Sequence, residues 1–303
     1  QVVGFANTWS KIACGWYHTA AIKTDGTIWT WGNNDSGRLG DNSTVYRSSP
    51  VQTVAFGTNW SSVACGYRHT GAIKTDGTLW TWGYGNNGYL GDNTTVSKSS
   101  PVQTVTGGNN WSIVSCGYYH TAAIKTDGTL WLWGKQGGLG GGNNGGLGDN
   151  TTTNRSSPVQ TVTGGNNWSK VSVGFSYSAA IKTDGTLWLW GRNSYGQIGD
   201  NTTIHRSSPV QTIAGGNNWN FVACGNYQTA AIKTDGTLWV WGRNNAGQLG
   251  DNTTTNRSSP VQTIATGNNW TKISCSKDQT AAIKSDGTLW LWGSNGNGEL
   301  GDN

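Results

Sequence analysis

A repeat of about fifty residues constrains this chain more than any other feature. The phrase D-G-T-[IL]-W-x-W-G begins at Asp25, Asp76, Asp127, Asp184, Asp235 and Asp286. A second phrase, W-x-x-[IV]-[AS], begins at Trp9, Trp60, Trp111, Trp168, Trp219 and Trp270. Successive copies of the second phrase lie 51, 51, 57, 51 and 51 residues apart, the long step being a six-residue insertion within residues 135–150. Three Trp in each of six repeats account for 18 of the 19 Trp, and the remaining one is Trp16. A unit this short cannot bury its own apolar faces, so the repeats must stack on one another to make a core.

Each repeat reads as four short strands. In the first they are Lys11–Cys14, Thr19–Lys23, Thr27–Trp31 and Val51–Val54, with Pro50 opening the last. Asp25-Gly26 between the second and third strands predicts a type I′ hairpin, which needs positive φ at both residues. Trp29 and Trp31 share a strand face by alternation. They are expected to fill the space between neighbouring sheets, with the small Ala20 and Ala21 on the crowded inner strand. No stretch carries a 3.6-residue apolar period. Gln1-Val2-Val3 aligns with Gln52-Thr53-Val54, and the chain stops at Gly301-Asp302-Asn303, which matches Gly40-Asp41-Asn42. The N-terminal segment is therefore expected to supply the strand the sixth repeat lacks. The predicted fold is an all-β, six-bladed β-propeller of four-stranded antiparallel blades, its ring closed by the N-terminal strand, with residues 1–303 as one domain.

Composition narrows the function classes. Aromatic residues are 11% and charged residues 12% of the chain, which excludes the charged, aromatic-poor make-up of disordered segments. No apolar run reaches the roughly 18 residues of a membrane-spanning helix, and no secretory leader pattern opens the chain. A net charge of +5 without a basic run gives no nucleic-acid footprint. With no Met among the 303 residues, the sequence reads as a processed chain, a fragment or an edited sequence.

The frame from Cys14-Gly15-Trp16-Tyr17-His18-Thr19 through Trp31-Gly32-Asn33 to Leu39-Gly40-Asp41 resembles the regulator of chromosome condensation (RCC-type) repeat family of β-propellers, and repeat five carries that family's G-Q-L-G at Gly247-Gln248-Leu249-Gly250. The resemblance spans essentially the whole chain. It implies a propeller, although well-known members have seven blades. Two members set chemical expectations, a guanine-nucleotide exchange factor and a plant ultraviolet-B photoreceptor. The photoreceptor's repeated G-W-R-H-T is matched by Gly15-Trp16-Tyr17-His18-Thr19, Gly66-Tyr67-Arg68-His69-Thr70 and Gly117-Tyr118-Tyr119-His120-Thr121, with only one Trp among them. A coupled Trp cluster is not expected here. Residues 136–145, almost all Gly and Asn, read as a flexible loop rather than a GTPase-gripping wedge. They hold no G-K-[ST] and so no phosphate loop.

Enzyme chemistry finds few residues. Of 15 acidic residues, six are hairpin Asp and six sit in Gly-Asp-Asn, leaving Asp35, Asp278 and Glu299. No carboxylate pair with contrasting surroundings is evident, and neither catalysis nor a cofactor is expected. Cys14, Cys65, Cys116, Cys224 and Cys275 share one repeat position, filled by Val173 in repeat four. That substitution predicts five buried, unbridged thiols. His18, His69 and His120 also share a position, which later repeats fill with Tyr177, Gln228 and Gln279. They are weak candidates for zinc, whose ligand nitrogens must converge on one ion at about 2.1 Å. Hydrogen bonding to neighbouring backbone, a role Tyr and Gln can also fill, is the alternative.

Function is expected where the repeats differ. The turns after the first strand carry Trp16, Tyr17, Tyr67, Arg68, Tyr118, Tyr119, Phe175 and Tyr227, with Tyr177 following. Tyr, Trp and Arg dominate binding hot spots. Asn34, Asp35, Arg38, Tyr84, Tyr89, Arg192, Tyr195 and Arg243 form a second variable set after Trp-Gly, expected either as a rim or simply as solvated loops. The reading is a non-enzymatic recognition module binding a protein or glycan through an aromatic face. The alternative is a structural building block of a larger assembly, such as a virion appendage, filament or surface layer. Exchange-factor activity ranks third. The polar Thr/Asn/Gly surface suggests an extracellular or virion setting, and the thiols suggest the cytoplasm. Alkylation of the denatured, unreduced chain should label all five cysteines in mass spectrometry; a disulfide-linked peptide pair would contradict this.

Overall fold

The computed structural model describes residues 8–55, 57–106, 108–138, 142, 144–265 and 267–301. It is all-β apart from one 3-10 turn at Asn86–Gly88. The strands form six antiparallel sheets in chain order, each with its strands side by side as they occur in sequence. These are the blades of a six-bladed β-propeller. Five have four strands, and blade six has three among the described residues. The ring-closing role expected of the N-terminal segment falls on residues 1–7, outside the described residues. The chain sorts into two compact units, one of residues 1–136 and 153–160 and one of residues 137–152 and 161–303. The first holds blades one to three and the second holds blades four to six.

Blade one shows the shared plan, with strands Trp9–Cys14, His18–Lys23, Ile28–Gly32 and Arg47–Gln52. Pro50 therefore lies inside the fourth strand rather than at its start. It is tolerated there because the strand is the sheet's outer edge, where a missing N–H breaks no ladder bond. The hairpin also differs from expectation. Only Gly26 has positive φ, at 79°. The Asp25 carboxylate instead accepts from the Thr27 backbone N–H at 2.9 Å and hydroxyl at 2.6 Å. These bonds hold the Asp25 carboxyl below its ordinary pKa.

The core lies between blades, and in each unit it is built the same way. Trp219 and Trp241 of blade five pack into Ala179, Ile181, Leu187 and Leu189 of blade four. Trp270 and Trp292 of blade six do the same to blade five. In the first unit Trp60 and Trp82 meet blade one, and Trp111 and Trp133 meet blade two. The alanines sit on the second strand, as expected, between the first and third strands of the sheet. They are small because the next blade's first strand comes close: at the matching Gly71 of blade two a Cβ would lie 3.1 Å from Cys116 Sγ and from Val114 Cγ2. The paired Trp of Trp-x-Trp thus divide their roles. Trp82, Trp133, Trp190 and Trp241 are fully buried. Their partners are half-buried under a lysine, as Trp239 is beneath Lys233 Nζ at 4.7 Å.

The Asp of Gly-Asp-Asn also has a structural post. Asp41 accepts from Asn34 Nδ2 at 3.0 Å, Ser43 Oγ at 2.8 Å and Arg47 Nε at 2.9 Å. Asn34 is fully buried and donates to the Val45 carbonyl as well. Removing one interblade indole should cost about 3–5 kcal/mol, the usual range for a buried Trp→Ala change. Chemical denaturation of Trp190→Ala is expected to show this, with Trp290→Ala, at a 43% exposed position, costing less than half as much.

Candidate functional site

The turn after the first strand is closed by a bond from the Gly15 N–H to the His18 carbonyl at 2.8 Å. The two residues between them are thereby presented at the blade end. A Cβ on Gly15 would lie 2.5 Å from the Gly66 carbonyl oxygen, and one on Gly66 would lie 2.5 Å from that of Gly117. Only glycine lets neighbouring turns come this close, and their variable side chains meet as a result.

In the first unit these side chains form one cluster drawn from three blades. Tyr67 and Tyr118 stack with centroids 3.7 Å apart and planes within 11°. Trp16 sets its ring perpendicular to both, at 5.4 and 5.3 Å. Tyr17 lies 5.6 Å from Tyr67, and the Arg68 guanidinium covers Tyr67 and Tyr84 at 5.1 and 5.3 Å. Trp16 and Tyr17 are 41% and 52% exposed, whereas Tyr119 is buried beneath Tyr118. Burial and the bond to Tyr67 push the Tyr118 hydroxyl above its ordinary pKa.

The second unit carries a cluster of different character. Tyr227 contacts Phe175 and Tyr195, each at 5.2 Å. Arg192 and Arg243 cover Tyr227 at 5.0 and 5.6 Å, and Arg243 also faces Asp278 at 3.6 Å. Phe175 is buried and supports the layer above it. Tyr177 belongs to neither surface. It is fully buried, donates its hydroxyl to the Gln228 carbonyl and accepts from Thr229 at 3.2 Å. Its position is that of the histidines, so it ties blades together rather than lining a turn.

The expected rim is also partly scaffold. Asn34, Arg38 and Tyr89 are buried, Arg38 pairing with Asp35. Tyr84, Arg192, Tyr195 and Arg243 instead complete the aromatic clusters. Lys135, which lies over Tyr119 at 5.0 Å, was missed. It occupies the same position after Trp-Gly as Tyr84 and Arg192, and the adjoining glycine run hid that alignment.

The three histidines do not converge as zinc ligands would. His18 Nε2 donates to the Thr70 hydroxyl of the next blade at 2.8 Å, and the Thr70 hydroxyl donates to the Arg38 carbonyl at 2.9 Å. His69, Thr121 and the Tyr89 carbonyl repeat this pair of hydrogen bonds at 2.8 and 3.1 Å. The His18 and His69 rings are each aimed at their own blade joint, and among the described residues no group of three His, Cys, Asp or Glu is placed to hold a metal. Burial lowers the pKa of His18 and His69 to about 3, with Arg38 adding to the shift, and that of His120 to about 4. The thiols are less enclosed than expected. Cys14 is exposed and the other four are half-buried, all five unbridged. Burial of the sulfur still pushes Cys116 and Cys224 up to about 12, far from the thiolate form a nucleophile needs.

Residues 2–303 match the RCC1-like domain family model. The ultraviolet-B receptor UVR8 of Arabidopsis thaliana is 34% identical over 256 residues, covering 82% of this chain and 56% of the receptor. The mitochondrial RCC1 domain-containing protein RUG3 of the same plant is 31% identical over 299 residues, covering 96% and 66%. The chain thus spans less than two thirds of either relative. Yeast RCC1 (Prp20), solved with Kap60 bound, has a TM-score of 0.80 at 19% identity, covering 95% of this chain and 70% of that one. That likeness is one of fold.

The buried histidines dictate an acid response. The unfolded chain takes up their protons near pH 6.5 and the folded one only near 3 to 4, so stability is complete above pH 6.5 and declines as pH falls towards 4. Each site should cost on the order of 1 kcal/mol per pH unit within that window. Melting temperatures between pH 7 and 4 should fall steeply, and replacing the three histidines by Gln, the residue of blades five and six, should flatten the slope.

Proposed function

Because the chain belongs to the RCC1-like domain family, a family of protein-interaction and regulatory propellers, we propose that it is a non-catalytic recognition module that grips a partner protein through its aromatic turns. The observation that carries this reading is the Trp16–Tyr67–Tyr118 cluster, in which a stacked tyrosine pair holds a part-exposed indole on edge. Large rigid rings that are already ordered before contact lose little entropy on binding, which is why such residues anchor interfaces. Arg68 adds a cation held in place by two rings. The Phe175–Tyr227 cluster, with Arg192 and Arg243, offers a second, more cationic anchor.

A protein partner is favoured over a glycan, because the solved relatives are described with protein partners. Yeast Prp20p is described as binding Gsp1p and histones, and yeast RCC1 is seen with Kap60. A module without catalysis fits the hairpin and Gly-Asp-Asn carboxylates, which are bound into turns. A reducing intracellular setting fits the five free thiols, and it agrees with the mitochondrial relative.

The test uses labelled core histones and Gsp1p as probes. The triple variant Trp16→Ala, Tyr67→Ala, Tyr118→Ala should keep its melting temperature within a few degrees and lose at least about ten-fold in affinity, or 1.4 kcal/mol. Binding by the triple variant equal to that of the parent would overturn the reading. Nucleotide release from Gsp1p should be unaffected by either protein.

A further inference from the structure

We infer that Arg192 and His205 of blade four form a seat for a phosphate monoester, carried on a phosphorylated side chain of a partner protein. The inference rests on the recognition role proposed above and names what the second aromatic cluster recognises. The charges in the unit of blades four to six single out Arg192. Three of that unit's four arginines have a carboxylate of their own. Arg206 meets Asp200 at 2.6 Å, Arg257 meets Asp251 at 2.7 Å and Arg243 faces Asp278 at 3.6 Å. Arg192 has no carboxylate partner among the described residues. Its Nε donates to the Ser194 hydroxyl at 3.3 Å, and its guanidinium lies over the Tyr227 and Phe175 rings at 5.0 and 5.9 Å. The rings hold the cation in place and leave its terminal nitrogens to an acceptor.

A second donor beside it comes from a residue choice that the fold does not require. The backbone N–H of the second residue after Trp-Gly is braced by a side chain from the end of the same loop. The Asn256 amide oxygen accepts it from Asn244 at 2.8 Å, and the Ser97 hydroxyl accepts it from Gly85 at 3.2 Å. An amide or a hydroxyl is therefore enough. Blade four instead uses His205, whose Nδ1 accepts from the Asn193 N–H at 3.0 Å. That bond puts the ring proton on Nε2, on the side away from the brace. His205 is exposed. Partial burial of the ring and the nearby Arg192 cation hold it below its ordinary pKa, so near pH 7 it is a neutral donor beside a cation.

Two guanidinium nitrogens and one imidazole N–H make three donors around one cation. A phosphate monoester brings three terminal oxygens and about 1.5 to 2 negative charges at neutral pH, whereas a carboxylate brings two oxygens and one charge. The nearby carboxylates of the chain are already engaged. Asp278 accepts from Gln248 Nε2 at 3.3 Å besides facing Arg243, and Asp200 accepts from Asn193 Nδ2 at 3.1 Å besides meeting Arg206. The anion that completes Arg192 is therefore one the partner presents. Arginine that pairs phosphate through its terminal nitrogens is the usual reader of phosphorylated segments.

The test follows the arginine Nε–H signals by NMR while a Gly-Ser-Gly-phosphoserine-Gly-Ser-Gly peptide is added to the full chain. A saturable shift of the Arg192 signal is expected, with that of Arg257, whose Nε is held by Asp251, unmoved. His205→Asn keeps the brace, as Asn256 does, and removes the Nε2 donor. It should weaken binding about three-fold, and Arg192→Gln about ten-fold. The inference is overturned by no saturable shift or by undiminished binding to Arg192→Gln. Equal binding of the peptide with Glu in place of phosphoserine overturns it in favour of a carboxylate, and equal binding of inorganic phosphate in favour of the free ion. The Trp16, Tyr67, Tyr118 triple variant should bind the phosphopeptide as the parent does. Failure of this seat is thus read from the peptide, and failure of the recognition role from the histone and Gsp1p measurements.

Discussion

Within each unit the structure depends on one contact, two indoles of one blade pressed into the preceding blade. Trp219 and Trp241 fill the space over Ala179, Ile181 and Leu187, and everything else about the repeat accommodates them. The second strand carries small residues, Ala or in blade two Gly71, where the next blade's first strand approaches to van der Waals distance. The second indole needs a donor path as well, and Trp241 Nε1 finds the Gln197 carbonyl at 2.9 Å. The loop supplying that carbonyl passes through Gly199, where a Cβ would lie 2.8 Å from the indole nitrogen. The Gly-x-[IL]-Gly-Asp-Asn phrase is thus the socket of the next blade's tryptophan.

Polar groups are arranged to keep that socket rigid. Asn34 and Asp41 brace the loop of blade one from inside, and Asn193 with Asp200 does so in blade four. A second tie runs beside each indole joint. In blades one and two it is a histidine donating to threonine, and in blade four it is Tyr177 engaging Gln228 and Thr229. Histidine, tyrosine and glutamine serve interchangeably because the position asks only for a side chain long enough to reach across and hydrogen-bond.

Much of this was legible in the sequence because repetition averages out noise. The period and the strand count follow from aligning the repeats, but the interblade pair is not the expected Trp-x-Trp: it joins the lone Trp to the second of that pair, as with Trp219 and Trp241, leaving Trp239 half-buried. The errors arose where one residue serves two masters. Asp25-Gly26 suggested two positive φ values, but Thr27 already binds the aspartate, and only the glycine turns. Tyr177 looked like a neighbour of the turn aromatics, but alternation along its strand sends the ring inward. Asn34 and Arg38 vary between blades, yet they are interior, because a blade can change which polar group braces its loop. The gathering of Trp16, Tyr67 and Tyr118 was foreseeable only as a shared end. Their stacking depends on how closely one turn approaches the next, and no spacing in one dimension encodes that distance.

The doubled joint has a consequence for how such chains diversify. In each unit, every indole pair and every cross-blade bond described above links a blade only to its sequence neighbour, and each joint is completed by residues that recur at the same repeat positions. Inserting or removing one repeat unit therefore alters the number of joints without changing the chemistry of any that remain. Blade number becomes a quantity that gene duplication can vary in whole steps, while the turn residues, which take little part in the joints, are free to drift towards new partners.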